Sequence, residues 1–232
     1  MDYGVSPVPD SIGTLPAHKT TPSRVQQAAL SSLTKSAELF ARHEGGVLSR
    51  ALGTAVHASL EELAHLREAH PWPEAVVALK QFEPRIEAGI RAAGIAPLQA
   101  KETTAEALRF AIGASHDLAG QWILSPHLNA ASEVRWSAVL AGSVRTVQAD
   151  RVFRAGLMPF DAGDDAWWII DYKTHAATSA SDPANTMAQL RSLFAPQLEM
   201  YGQALRNLHE ADAPIRAGLY YPRMLLFDWW EL

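Results

Sequence analysis

The chain has 232 residues, 48% of them hydrophobic, with no cysteine and a formal net charge of −5. That is enough apolar material for one sizeable domain, and the missing cysteines exclude disulfides, thiolate zinc sites and cysteine-ligated iron–sulfur clusters, so any metal has to sit on oxygen or imidazole. The negative balance argues against a protein that grips nucleic acid over its whole surface, because non-specific affinity comes mainly from neutralised phosphates.

Residues 1–22 carry Pro7, Pro9, Pro16 and Pro22 among Ser, Thr and Gly and read as an extended linker or tail, leaving 23–232 as the folded domain. The start, MDYGVSPVPDSIG, lacks the basic and apolar regions of a signal peptide. No apolar run approaches the roughly 18–20 residues that span a bilayer, so the expectation is a cytoplasmic protein with no membrane partner. From Ser23 to Ala41 the spacing is loosely helical, and Gly45-Gly46 breaks it. Leu52, Val56, Leu60, Leu63 and Leu66 then recur at three- and four-residue spacing, which predicts an amphipathic helix over 48–69, stopped by Pro71 and Pro73. His57 and Glu61 lie one turn apart on it. Residues 74–94 and 104–124 are expected to be helical, with Pro84 a break or a start and Gly94 to Pro97 a turn.

From Ala131 the texture changes to alternation through Val134, Trp136, Ala138 and Leu140; Gly142 turns the chain, and Val144 to Phe153 forms a second strand. Just ahead of the first strand, Glu133 is a candidate for a further carboxylate at a site, but it is expected instead to pair with Arg135 along a sheet edge and is left out of the metal set. The apolar run Trp167-Trp168-Ile169-Ile170 ends in Asp171-Tyr172-Lys173. Alternation along a strand puts Asp171 and Lys173 on one face with Trp167 and Ile169, and Trp168, Ile170 and Tyr172 on the other. If the two strands form a hairpin, Asp150 lies beside Asp171 within reach of one cation. Residues 186–209 return to helical spacing with Pro196 expected to start or bend the helix, Ile215 to Tyr221 is a short strand, and Trp229-Trp230 a packed terminal strand.

Four separated pieces thus carry polar chemistry: Gly53-Thr54-Ala55-Val56-His57 with Glu61, then Asp150, then Asp171-Tyr172-Lys173-Thr174, then Gln197-Leu198-Glu199-Met200-Tyr201. In order and type they resemble the RecB-like nucleases of the PD-(D/E)XK superfamily over roughly residues 48–222. The family pattern is a helical Gly-x-x-x-His, a strand aspartate, an Asp-Tyr-Lys-Thr strand end and a Gln-x-x-x-Tyr helix. The resemblance implies an α/β fold of restriction-endonuclease-like type, a central mixed sheet flanked by helices with a helical N-terminal portion. It also implies metal-dependent hydrolysis of DNA at single- or double-stranded ends, in the manner of the nuclease domain of a helicase–nuclease, with a tethered or associated helicase as partner.

Phosphodiester hydrolysis needs a hydroxide-like nucleophile and neutralised phosphate charge, which a hard cation such as Mg²⁺ supplies. Asp150 and Asp171 suit that ion. The resemblance adds His57 and the backbone carbonyl of Tyr172 as ligands, and an imidazole ligand admits Mn²⁺ as well. Lys173 takes the catalytic cation's role beside the attacking water. Gln197 and Tyr201, four apart on a helix, face the same way and join Glu61 as supporting, DNA-facing residues, while His175 follows the lysine closely enough to approach phosphate. The family often has glycine where this chain has Val147, three residues before the strand aspartate, which is expected to narrow the approach of a DNA backbone; Ala149 is a second departure. The alternatives are a catalytically silent domain that binds DNA ends or a partner, and a free-standing nuclease of mobile-element or defence origin. Taken singly, His57 would be a helix histidine bonded to Glu61, and Asp150 a strand-end residue paired with Arg151.

Overall fold

Ala51, Ala55, Val56, Leu60, Leu63 and Ala64 bury one stripe of helix α1 (Val47–Ala69), which ends where His70 turns to extended backbone ahead of Pro71. The computed structural model describes residues 46–140, 142–174, 183–209 and 213–232; the expected tail over 1–22, the helical stretch 23–41 and His175 lie outside them. Proline opens each of the next three helices, α2 (Trp72–Leu79), α3 (Glu83–Ala92) and α4 (Pro97–Ala114), as its fixed φ and missing N–H permit in a first turn.

Pro84 acts as the start expected of it: the stretch 74–94 is two helices joined at a 3₁₀ turn, Lys80–Phe82. The stretch 104–124 is also two: α4 begins at Pro97, and Asp117 caps the separate helix α5 (Leu118–Leu124) by accepting from the Gly120 N–H.

Five strands follow, β1 (Leu128–Leu140), β2 (Ser143–Ala155), β3 (Ala166–Tyr172), β4 (Ile215–Tyr221) and β5 (Leu226–Glu231), in the spatial order β1-β2-β3-β4-β5. Helix α6 (Pro183–His209) joins β3 to β4, which pair in parallel; the other neighbours are antiparallel. Both β3 and β4 are buried along their full length, as central strands covered on both faces must be.

Each face of the sheet has its own core. Phe153, Trp168, Ile170, Tyr172 and Tyr220 pack under the N-terminal helices, while Val152, Trp167, Ile169, Ala217 and Leu219 pack under Phe194, Leu198 and Leu205 of α6. The alternation expected for β3 is therefore observed. Arg191 of α6 ties to Asp228 of β5. Pro196 neither starts nor ends α6, which runs through it; the apolar stripe on both sides of the proline outweighs the single backbone hydrogen bond its missing N–H forfeits.

β2 pairs with β3 only from Arg151 to Ala155, so the rest of the β1–β2 hairpin extends beyond the sheet as a two-stranded ribbon. Val147 is buried on the ribbon face under α6.

Candidate metal and catalytic site

The site lies where β2 leaves β3. Backbone pairing stops at Arg151 and Ile170, which leaves the amide and carbonyl of Tyr172 facing a gap rather than a neighbouring strand. Side chains fill it. The Tyr172 N–H donates to Asp150 Oδ2 at 2.6 Å, and the Tyr172 carbonyl accepts from His57 Nε2 at 3.1 Å. Tyr172 Oη is buried without a hydrogen-bond partner and its ring stands edge-on to His57 at 5.6 Å, so the polar groups that Tyr172 presents to Asp150 and His57 are those of its backbone.

The other imidazole nitrogen, His57 Nδ1, faces two carboxylates, Asp150 Oδ1 at 3.4 Å and Glu133 Oε1 at 3.7 Å. One ligand atom from each of His57, Glu133 and Asp150 lies within 4.8 Å of the others. Glu133 is the residue that sequence reasoning assigned elsewhere. It does not pair with Arg135; its second oxygen accepts from Gln148, whose amide oxygen in turn accepts from Arg135 Nε at 2.9 Å. Glu133 stands at φ 51°, a left-handed conformation that costs a non-glycine residue about 1–3 kcal/mol, and this backbone turn sets its carboxylate among the other two. The signal was in the hairpin: Leu140 pairs with Ser143, and counting back along that register puts Glu133 opposite Asp150.

Asp171 and Lys173 form the second half of the site. Lys173 Nζ pairs with the buried Asp171 Oδ2 at 2.5 Å. The ammonium also sits 4.1 Å from the centre of the Phe194 ring, a favourable cation–π placement. On α6, Gln197 donates to the Tyr201 hydroxyl; Tyr201 is buried, and burial first and the Asp171 charge second hold its hydroxyl protonated.

The electrostatics record a crowd of negative charge. Burial raises the Asp171 carboxyl to about 6, with Asp150 adding to the rise while Lys173 and His57 oppose it. Burial disfavours charge on His57, yet Asp150, Glu133 and Asp171 together push it up to about 10. The exposed Glu61 carboxyl is raised by partial burial, then by Glu133 and Glu62, and it makes no bond to His57, which is held by Tyr172 and the two carboxylates instead. Arg151 does not pair with Asp150 either; its guanidinium donates to the carbonyls of Ile123 and Ser125 and to Ser132 Oγ.

An imidazole, two clustered carboxylates, a third buried carboxylate beside them and a strand-end carbonyl form an oxygen-rich, acidic donor set. That chemistry fits a divalent cation of the Mg²⁺ or Mn²⁺ type.

The family model described as the PD-(D/E)XK nuclease superfamily matches residues 30–226. The chain belongs to that superfamily, whose members are usually nucleases that use divalent metals, and its mixed sheet flanked by helices is the restriction-endonuclease-like fold. No curated protein matches the chain. Among the described residues no helix is long and apolar enough to cross a membrane.

Proposed function

We propose that this chain is a divalent-metal-dependent deoxyribonuclease of the RecB-like kind, an exonuclease working at DNA ends in repair or recombination with an associated helicase. The observation that carries the reading is the juxtaposition of the His57, Glu133 and Asp150 cluster with the buried Asp171–Lys173 pair. His57, Asp150, Asp171 and the Tyr172 carbonyl, joined by Glu133, would hold Mg²⁺, with Mn²⁺ as the alternative. Such an ion supplies a hydroxide-like nucleophile at neutral pH and Lewis-acid neutralisation of the phosphate.

The chain's own residues do the rest. Asp150, anchored by the Tyr172 amide, is held at the strand gap without having to reorganise. Lys173, buried with its ammonium against Asp171 and Phe194, places a fixed positive charge beside the attacking oxygen and the non-bridging oxygens, where charge builds in the transition state. Gln197 and Tyr201 keep that corner rigid. The overall charge of −5 leaves few phosphate contacts outside the site, so a helicase that holds the strand would provide effective concentration in place of affinity.

The test is digestion of end-labelled and circular DNA, single- and double-stranded, with Mg²⁺, Mn²⁺ or EDTA. Cleavage that requires the metal and a free end is expected, steeply weakened by salt. Metal-independent cleavage, or none by wild-type protein while it still binds ends, would turn the assignment to a silent end-binding domain.

A further inference from the structure

Beside the metal cluster a cavity of roughly 720 Å³ opens between α1, α3 and the start of β1. Its walls are contiguous with the site: Ser132 and Arg151 precede and follow Glu133 and Asp150 in the chain, and Ala58 and Glu61 flank His57 on α1. The volume lies within the range of sites that hold a small molecule and accommodates one nucleoside. The proposed reaction does not use it.

The lining has two characters. Ala55, Ile86, Ile90 and Phe82 make it apolar over much of its area, and Phe82 offers an aromatic surface. Its charged groups are balanced: Arg50, Arg85 and Arg151 are offset by Glu61, Glu62 and Glu68. Such a balance gives no net attraction for a phosphate. It does present both donors and acceptors to a flat, neutral, partly apolar body. Arg151 adds a specific observation, for it is 2% exposed and has no carboxylate within ion-pair distance among the described residues. Its hydrogen bonds all go to neutral oxygens, two of them carbonyls at the end of α5, so donor capacity remains from the five N–H groups of a guanidinium. Ring nitrogens and carbonyls of a nucleobase accept from arginine, and exocyclic amino groups donate to a carboxylate such as Glu61.

We propose that this cavity is a base-binding subsite that takes one unpaired nucleobase of the strand whose backbone lies at the metal cluster. The assignment rests on the nuclease reading above and adds its substrate class: the polar edge of a paired base is already occupied, so the cavity selects single-stranded or frayed ends over intact duplex. Base contacts of this kind tolerate sequence, because every base offers a π-face.

Gly89 makes the test clean. It lines the cavity, and a Cβ added there meets nothing within 4 Å, so Gly89→Leu fills the space while improving the helix propensity of α3. Fluorescence anisotropy in EDTA would measure binding of a labelled single-stranded oligonucleotide, intact or with an abasic position moved along it, to the whole chain. Wild type should lose about tenfold in affinity at one abasic position, on the scale of a stacked base. Gly89→Leu should bind the intact strand about tenfold more weakly and ignore the abasic position, with Mn²⁺ binding by calorimetry unchanged. Ala58→Trp, on the opposite wall, should behave the same way and guards against a folding defect in the first variant. Wild-type affinity in both variants, or no abasic position that matters, overturns the subsite. Failure of the nuclease reading would show separately, as absence of metal-dependent cleavage by wild type in the digestion experiment.

Discussion

Replacing His57 by Gln separates the imidazole's charge from its hydrogen bond, because a glutamine amide still offers a donor for the Tyr172 carbonyl. In the metal-free protein the His57 imidazole is the counter-ion for Glu133 and Asp150. Its pKa stands at about 10 against an ordinary 6.5, which at roughly 1.4 kcal/mol per unit corresponds to a ceiling of about 5 kcal/mol. The side chain is 28% exposed and its acidic neighbours relax when the charge goes, so solvent screening brings the expected effect to about 2 kcal/mol. The sign follows from linkage. A folded-state pKa above the unfolded one contributes stability that is fully present below 6.5 and lost as the pH climbs through about 10. Urea unfolding in EDTA should therefore find wild type more stable than His57→Gln by about 2 kcal/mol at pH 6, with the gap closing by pH 10.5. A gap that stays constant across that range would mean the imidazole is neutral in the folded protein and the charge argument is wrong.

Lys173→Ala should leave Mn²⁺ binding by calorimetry nearly intact while cutting turnover by about 10²-fold, the scale of a lost electrostatic transition-state contact; a wild-type rate would make the lysine merely structural. Glu133→Gln keeps an oxygen to accept from Gln148 but removes a charge from the cluster, so Mn²⁺ affinity should fall about tenfold or more with the melting temperature little changed. Gly120→Ala should destabilise the fold by about 1–3 kcal/mol in urea, because the added Cβ would sit 2.3 Å from the Ala114 carbonyl oxygen and 2.6 Å from the Tyr220 hydroxyl. An unaltered midpoint would show that α5 can shift away.

The strands that build the site were legible because their alternation is strong: Trp167 to Tyr172 sorts onto two faces as its spacing demands. The pairing of Asp150 with the end of β3 followed from treating β2 and β3 as a hairpin, and the Tyr172 amide fixes it there. Glu133 was visible as a candidate carboxylate but was assigned to Arg135, because a residue's φ is not written in its own letter; only the register of the whole β1–β2 hairpin reveals what it faces. The break ahead of Pro84 was legible from the proline, whereas the one at Asp117 was blurred because apolar spacing continues across it; Pro196 starts no helix, because packing on both sides carries α6 through one missing N–H. The cavity beside the cluster was invisible in sequence: it is made by small residues, Ala58 and Gly89 among them, whose contribution is the room they leave.

The turned backbone at Glu133 also bears on how this chain behaves in company. β1 is one outer edge of the sheet and is thirteen residues long, with Leu128 and Val139 exposed along it. An edge of that length is a template on which another chain's strand could grow. Left-handed residues at Asn129 (φ 53°) and Glu133 (φ 51°) interrupt the regular row of N–H and C=O groups that such growth requires, and Glu133 sets a charge in the interruption. The distortion that aims a carboxylate at the imidazole is thus also the kind of irregularity that makes an edge strand a poor template for a second chain.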